Sequence, residues 1–196
     1  MIEGLKFSDD CDWTTPHAEN WQRWLGHLIG TACVGLEVGV FEGRSSAWFL
    51  EHICQHPQSR LIAIDPWESK SLENRLAIAE TFGVLRYQFH ADRAEDLLSM
   101  WYRGGFKFDW IYLDGAKEAA RVLDQSVLAW RMLKPGGILI WDDYPWQWTE
   151  GCKSIRPSMP PGPAIDAFLA IYAGELEVIS RGWQVCVRKI DTAATA

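Results

Sequence analysis

The sequence has no cluster of basic residues and no long apolar run, and each absence argues against a class of protein. Its 196 residues carry 19 Lys and Arg against 26 Asp and Glu, a formal net charge of −7. Nucleic acids and anionic membrane surfaces require clustered positive charge, so neither is an expected partner. No apolar run approaches the roughly 20 residues that span a bilayer, and the first residues lack the basic-then-apolar order expected of a signal peptide. We therefore predict a cytoplasmic protein whose partner is a small molecule.

Cysteine is also too sparse to form a scaffold. The five cysteines are odd in number, scattered and without a Cys-x-x-Cys pair, so neither a disulfide framework nor a zinc site is indicated. The length and the 48% hydrophobic composition predict one domain over residues 1–196. Tryptophan, by contrast, is abundant, and several of the twelve lie in predicted loops, where aromatic side chains are suited to line a pocket. These loop tryptophans are Trp13, Trp67, Trp146 and Trp148.

From residue 34 onward, short buried strands alternate with helices, which predicts a parallel sheet covered on both faces. The predicted strands are 34–38, 61–64, 85–89, 110–113 and 138–141, and the predicted helices lie near 45–55, 70–82, 93–101, 117–133 and 163–172. Two further strands, 177–180 and 183–188, predict a closing antiparallel hairpin. Residues 1–30 are interpreted as a lid or edge segment, and 144–163 as a long ordered loop on the substrate side.

The turn after the first strand has the residues of a cofactor-binding loop. Gly39 and Gly43 can adopt positive φ and let the backbone approach a ligand, while the N–H groups that open the next helix point toward it. The Glu-x-Gly-x-x-x-Gly spacing starts at Glu37 and differs from the Gly-x-Gly-x-x-Gly of dinucleotide-binding enzymes. Ligands of parallel sheets bind at the carboxyl ends of strands, so Asp65 is placed to bind a ribose diol.

Acidic residues also follow the fourth and fifth predicted strands. If these strands are neighbours, about 4.8 Å apart, Asp114 converges with Asp142 and Asp143. Like charges oppose one another's ionisation, and a hard cation held by oxygen ligands, Mg²⁺ or Ca²⁺, would resolve the conflict. The alternative is that Asp142 caps its loop and Asp143 is solvated.

Lys117 is the candidate general base. It starts a predicted helix, where the helix dipole disfavours a cation, and this unfavourable position suggests a role. Beside a metal and a positively charged cofactor its pKa is expected to be lowered, which suits a base that takes a proton from a substrate hydroxyl. The alternative is an exposed lysine paired with Glu118 or Glu42.

Residues 36–46, Asp65 and the Lys-Pro-Gly-Gly stretch at 134–137 together resemble the class I S-adenosylmethionine-dependent methyltransferases, from about Trp13 to Lys189. The resemblance implies a Rossmann-like α/β fold with a seven-stranded, mostly parallel sheet, a C-terminal antiparallel hairpin and helices on both faces. It also implies S-adenosylmethionine as cofactor. The residues that would bind it are Glu37, Gly39, Phe41, Gly43, Ser45, Asp65, Trp67, Asp92, Arg93 and Asp114.

Within that class, Asp114-Gly115-Ala116-Lys117 and Asp142-Asp143 are similar to the metal and lysine set of cation-dependent O-methyltransferases. By this resemblance Asp114, Asp142 and Asp143 hold Mg²⁺, and Lys117 and Asp114 are catalytic. The implied substrate is a hydroxyl of a vicinal diol, a catechol-like compound or a sugar, and a homodimer is one expected assembly. Two alternatives stay open: a metal-independent small-molecule methyltransferase and a non-catalytic module that binds S-adenosylmethionine.

Overall fold

The computed structural model describes residues 5–8, 11–66, 72–150 and 156–191. The chain divides into two compact units, Met1–Ala94 and Glu95–Ala196. Within the described ranges, none of the helices has both the length and the apolar character needed to cross a membrane.

The first unit contains a short amphipathic helix followed by three parallel strands. Its elements are α1 (Ala18–Leu25), β1 (Val34–Val38), α2 (Arg44–His52), β2 (Arg60–Ile64), α3 (Leu72–Phe82) and β3 (Tyr87–His90). Strand β2 pairs in parallel with both β1 and β3. Trp21, Trp24 and Leu25 recur at helical spacing and form the buried face of α1. Trp21 packs against Phe49 of α2, with 4.6 Å between the ring centroids.

The second unit combines a parallel strand pair with an antiparallel hairpin. Its elements are α4 (Ala94–Arg103), β4 (Phe108–Leu113), α5 (Ala119–Met132), β5 (Leu133–Trp141), α6 (Pro161–Ile171), β6 (Leu176–Arg181) and β7 (Val185–Lys189). Strands β4 and β5 are parallel, whereas β7 runs antiparallel to both β5 and β6. Trp141 of β5 and Trp130 of α5 both pack on Phe168 of α6, with ring centroids 5.1 and 5.6 Å apart.

The seven strands form one sheet in the order β3-β2-β1-β4-β5-β7-β6. The predicted seven-stranded, mostly parallel sheet with a C-terminal antiparallel hairpin is thereby confirmed. Strand β1 has the predicted bounds, because its apolar run and its glycine turn are both local signals.

Several predicted boundaries differ from the structure by one to five residues, such as the start of β7 at Val185, and three differences have a clear physical reason. Strand β3 starts at Tyr87, and the apolar side chain of Leu85 lies 76% exposed in the preceding turn. The Lys-Pro-Gly-Gly stretch at 134–137, predicted to separate α5 from the next strand, lies inside β5, which begins directly after Met132. The strand accommodates this stretch through a register shift against β4 and a φ of +76° at Gly136.

The third boundary concerns the predicted loop 144–163. Helix α6 begins at Pro161, because proline is well tolerated in the first helical turn, so the loop ends three residues earlier than expected. Residues 151–155 of this loop lie outside the described residues.

Candidate active site

The loop between β1 and α2 has the left-handed backbone that its glycines predict. The φ angles are +92° at Gly39 and +82° at Gly43, and Phe41 between them adopts +50° although it carries a side chain. Asp65 holds this conformation, because its Oδ2 accepts hydrogen bonds from the N–H groups of Val40 (2.8 Å) and Phe41 (2.9 Å). The acid after β2 therefore braces the loop.

Two predicted cofactor acids of the first unit, Asp65 and Asp92, follow strands β2 and β3. Asp65 is 6% exposed, so the carboxylate that braces the loop is buried. Asp92, which follows β3, is exposed and accepts a hydrogen bond from the backbone N–H of Arg93 at 2.7 Å. The roles assigned to Asp65, Asp92 and Arg93 stay predictions, and Trp67 lies outside the described residues.

Glu37 of β1 is fully buried and is paired with the first turn of α2. One carboxylate oxygen accepts a hydrogen bond from the hydroxyl of Ser45 and the other from that of Ser46. Two hydroxyl donors offset the desolvation of the buried charge. Burial raises the pKa of the Tyr87 hydroxyl, and the charge of Glu37 raises it further. The sequence identified Ser45 and missed Ser46, although both open the same helical turn.

The N-terminal segment contacts the glycine loop at two points. The Trp13 ring lies 5.5 Å from that of Phe41, centroid to centroid. Asn74 of α3 accepts a hydrogen bond from the Lys6 N–H and donates from its side-chain amide to the backbone carbonyls of Lys6 and Glu42, both at 2.8 Å. These contacts are compatible with the predicted lid, which stays a prediction.

In the second unit, Lys117 lies between two carboxylates. Its Nζ is 2.7 Å from Oδ1 of Asp114 and also contacts Oδ2 of Asp143. Burial alone would lower the pKa of Lys117, but the carboxylates of Asp114 and Asp143 outweigh it and raise the pKa above its usual value. The lowering of this pKa was predicted for an amine beside a metal and a positively charged cofactor, so it stays a prediction; between two anions the pKa is raised.

The same charged groups act on the Asp114 carboxyl. Burial raises the pKa of the Asp114 carboxyl, the Lys117 ammonium opposes that rise, and the carboxylates of Asp142 and Asp143 reinforce it. The alternative partners of Lys117 are engaged elsewhere, since Glu118 accepts two hydrogen bonds from Ser158 and Glu42 accepts two from Ser8. The interpretation of Lys117 as an ordinary exposed lysine is thus not supported.

Asp142 is directed at different partners. Its Oδ2 accepts hydrogen bonds from the Tyr112 hydroxyl and from the Gln184 amide (3.0 Å), and its Oδ1 accepts one from the Asp143 N–H (2.7 Å). In the part of the chain that the structure describes, no group of three or more His, Cys, Asp or Glu side chains is arranged to hold a metal ion. The three predicted Mg²⁺ ligands are therefore not preassembled, because Lys117 pairs with Asp114 and Asp143 while Asp142 is held by Tyr112 and Gln184.

Sequence reasoning missed Tyr112 and Gln184. A signal for Tyr112 was present, because it lies two residues before Asp114 and alternate residues of a strand share a face. Gln184 had no such signal, since it reaches Asp142 from the turn between β6 and β7, 42 residues further along the chain.

A separate groove of about 360 Å³ lies between α3 and β3. Leu76 and Phe89 line it together with Arg75, whose guanidinium stacks 3.7 Å above the Phe89 ring. None of the predicted site residues is among its lining residues, so the groove does not enter the functional assignment.

The family of the chain follows from residues 36–144, which match the model of a family described as a methyltransferase domain. The match begins in β1 and ends just after Asp143, so it includes the glycine loop, Asp65, Asp114 and Lys117, and it spans more than half of the chain. The chain belongs to this methyltransferase family. The predicted resemblance to class I S-adenosylmethionine-dependent methyltransferases is confirmed, and the protein is a methyltransferase.

Solved structures share the fold of this methyltransferase. It is similar to the O-methyltransferase TomG from Streptomyces achromogenes, solved with SAM (TM-score 0.68, 20% identity, 95% of this chain and 82% of TomG). It is also similar to an O-methyltransferase from Bacillus cereus, solved with SAH (TM-score 0.66, 19% identity, 96% and 84% covered). MycE, from the mycinamycin pathway and solved with Mg and SAH, matches at a TM-score of 0.62 and 16% identity, over 94% of this chain and 51% of MycE. No curated protein sequence matches the methyltransferase significantly.

Proposed function

We propose that the methyltransferase transfers the methyl group of S-adenosylmethionine to a hydroxyl of a small molecule, with vicinal diols, catechol-like compounds and sugars as the acceptor classes. The observation that carries this proposal is the Lys117 amine, held by Asp114 and Asp143 after two parallel strands. An amine held at this point can receive the proton that a hydroxyl loses when it attacks a methyl group, once its pairing with the carboxylates is weakened.

The first unit fits an adenosyl cofactor. Its positive-φ glycines allow close backbone approach, and Asp65 and Asp92 supply acceptors after two neighbouring parallel strands. S-adenosylmethionine supplies a methyl group that its sulfonium charge already activates for displacement. TomG and the Bacillus cereus enzyme, solved with SAM and SAH, support this assignment.

The carboxylates of the second unit fit Mg²⁺ in their chemistry. All are oxygen donors, which Mg²⁺ prefers, and Asp114 and Asp143 already meet at one cationic group. Oδ1 of Asp142 accepts the Asp143 N–H and retains acceptor capacity. We propose that these three residues bind Mg²⁺, which would stabilise the oxyanion of the acceptor. MycE, solved with Mg and SAH, supports the choice of ion.

Lys117 would then act as the base. While it is paired with both carboxylates it is protonated, so it can accept a proton only after this pairing is weakened. S-adenosylmethionine would supply the methyl group and leave as a neutral thioether, and Nζ of Lys117, once neutral, would take the proton that the acceptor hydroxyl loses.

The test is methyl transfer from isotopically labelled S-adenosylmethionine to catechol, to a sugar with a vicinal diol and to phenol as a single-hydroxyl control, followed by mass spectrometry. We expect labelled catechol or sugar in the presence of Mg²⁺, and loss of product when a chelator replaces Mg²⁺. Cofactor binding without any labelled product would contradict the proposal and favour the non-catalytic module. Product that is insensitive to the chelator would favour the metal-independent enzyme.

A further inference from the structure

We propose that Tyr112 and Gln184 are positioning residues that hold Lys117 in place through Asp142 and Asp143. The inference rests on the proposed function in one respect, because that function makes Lys117 the base. The contacts that carry it belong to the second unit alone and do not depend on the identity of the acceptor.

The first step of the argument is the backbone at Asp143. Its φ of +58° is a left-handed conformation, which Asp tolerates better than most residues but which needs local support. That support comes from Asp142, whose Oδ1 accepts the Asp143 N–H at 2.7 Å. In this conformation the Asp143 carboxylate contacts Nζ of Lys117. The position of the amine therefore depends on the carboxylate of Asp142.

The second step is what fixes Asp142. The Tyr112 hydroxyl donates to its Oδ2 from β4, and the Gln184 amide donates to the same oxygen from the turn between β6 and β7. All three side chains are at least nine-tenths buried, since Asp142 is 8%, Tyr112 2% and Gln184 3% exposed. When a buried carboxylate loses a hydrogen-bond donor, the free-energy cost of its desolvation is no longer offset, and the carboxylate changes its orientation.

The third step is the backbone around this carboxylate. The Asp142 N–H donates to the Leu113 carbonyl of β4, and the Tyr144 N–H donates to the Trp183 carbonyl beside Gln184, both at 3.0 Å. Main-chain and side-chain bonds thus tie residues 142–144 to the same two segments. With the main chain held at both sides, loss of a side-chain donor is expected to act on the orientation of Asp142 and not on the fold.

The test uses the volume-conserving variants Tyr112→Phe and Gln184→Met. Chelator-treated protein is acylated briefly with acetic anhydride, and mass spectrometry gives labelling at Lys117 relative to Lys134. Lys134 is the matched control because it also pairs with an aspartate, Asp109, at 2.8 Å. We expect Lys117 labelling to rise by about tenfold in each variant, in line with the effect of removing an outer hydrogen-bond partner of a site. Unchanged relative labelling in both folded variants would overturn the inference.

A second readout separates positioning from a general loss of structure. We expect kcat for methyl transfer to fall by about tenfold in Gln184→Met with SAH affinity unchanged, and by at least as much in Tyr112→Phe, because the Tyr112 hydroxyl also lies 3.4 Å from Oδ2 of Asp114. An unchanged kcat in Gln184→Met, or a loss of SAH affinity in step with kcat, would overturn the inference. If labelling responds as expected but the wild-type protein methylates no acceptor, the positioning role stands and the proposed function fails.

Discussion

The two acidic clusters of this methyltransferase hold their carboxylates in different ways. In the first unit, Glu37 and Asp65 accept hydrogen bonds from neutral donors, namely serine hydroxyls and backbone N–H groups. In the second, Asp114 and Asp143 face the ammonium of Lys117. Neutral donors fix a carboxylate and leave its charge in place, whereas an ammonium can exchange its proton or give way to another cation. The first arrangement is suited to binding and the second to chemistry.

Removing the ammonium gives the largest expected effect. In Lys117→Met, kcat for methyl transfer should fall by about 10²- to 10⁴-fold, the range typical of lost general base catalysis. SAH affinity, measured by calorimetry, should stay within about twofold. The corresponding change in binding free energy is well below the roughly 1.4 kcal/mol of a tenfold change in affinity. Lys134→Met is the control. If Lys117→Met lost both activity and SAH binding, the two clusters would not differ in role as binding and chemical sites.

The next effect concerns stability in the first unit. Ser46→Ala removes a donor to the fully buried Glu37, so the free energy of unfolding in urea should fall by about 2 kcal/mol. Ser158→Ala is the matched control, since its hydroxyl also donates to a glutamate, Glu118, but at an exposed site. We expect a change below about 0.5 kcal/mol there. Equal changes in the two variants would show that burial of Glu37 is not what makes its donors important.

A smaller effect is expected where the loop after β5 meets α6. A Cβ added at Gly162 would lie 2.8 Å from the Tyr144 carbonyl oxygen, whereas one added at Gly174 would meet nothing within 4 Å. Gly162→Ala should therefore lower the free energy of unfolding by about 1 to 2 kcal/mol through overpacking. Gly174→Ala should not lower it. An unchanged free energy of unfolding in Gly162→Ala would show that the backbone at Tyr144 can shift to accept the added Cβ at little cost.

The smallest effect is a pH dependence at His90, which ends β3 in the first unit. Burial lowers the pKa of His90, and Asp92 partly opposes this. Because the folded pKa lies below that of the unfolded chain, the stabilisation is complete above about pH 6.5 and is lost as the pH falls from there through the folded pKa. Between pH 7.5 and 5, the free energy of unfolding should fall less steeply in His90→Gln than in the wild type. The difference over this range should be about 0 to 1 kcal/mol. The variant His27→Gln, at an exposed histidine, is the control. If the free energy of unfolding fell equally steeply with pH in His90→Gln and the wild type, burial of His90 would not be a cause of the pH dependence.

Local patterns in the sequence were sufficient for much of the fold and for part of the site. The glycine loop follows from residues whose conformational freedom is intrinsic, as the positive φ at Gly39 and Gly43 shows. The meeting of Lys117, Asp114 and Asp143 follows from topology, because the carboxyl ends of adjacent parallel strands lie at one edge.

The rest depended on long-range contacts that no local pattern encodes. Asp142 accepts a hydrogen bond from Gln184, whose position depends on how the closing hairpin turns, so the sequence could not show that Asp142 has partners other than Lys117. The direction of the Lys117 pKa shift likewise depends on which charges lie nearest the amine, and the carboxylates of Asp114 and Asp143 raise this pKa. Leu85 shows that an apolar residue beside a strand can also be left exposed in a turn.

The central claim is that Asp114 and Asp143 form an exchangeable cation site, whereas the carboxylates of the first unit do not. The most direct measurement is a calorimetric titration of Mg²⁺ into chelator-treated protein saturated with SAH. The account predicts one saturable Mg²⁺ site, abolished in Asp114→Asn and retained in Glu42→Gln. Protein that binds SAH but shows no saturable Mg²⁺ site, or a site that survives Asp114→Asn, would contradict it.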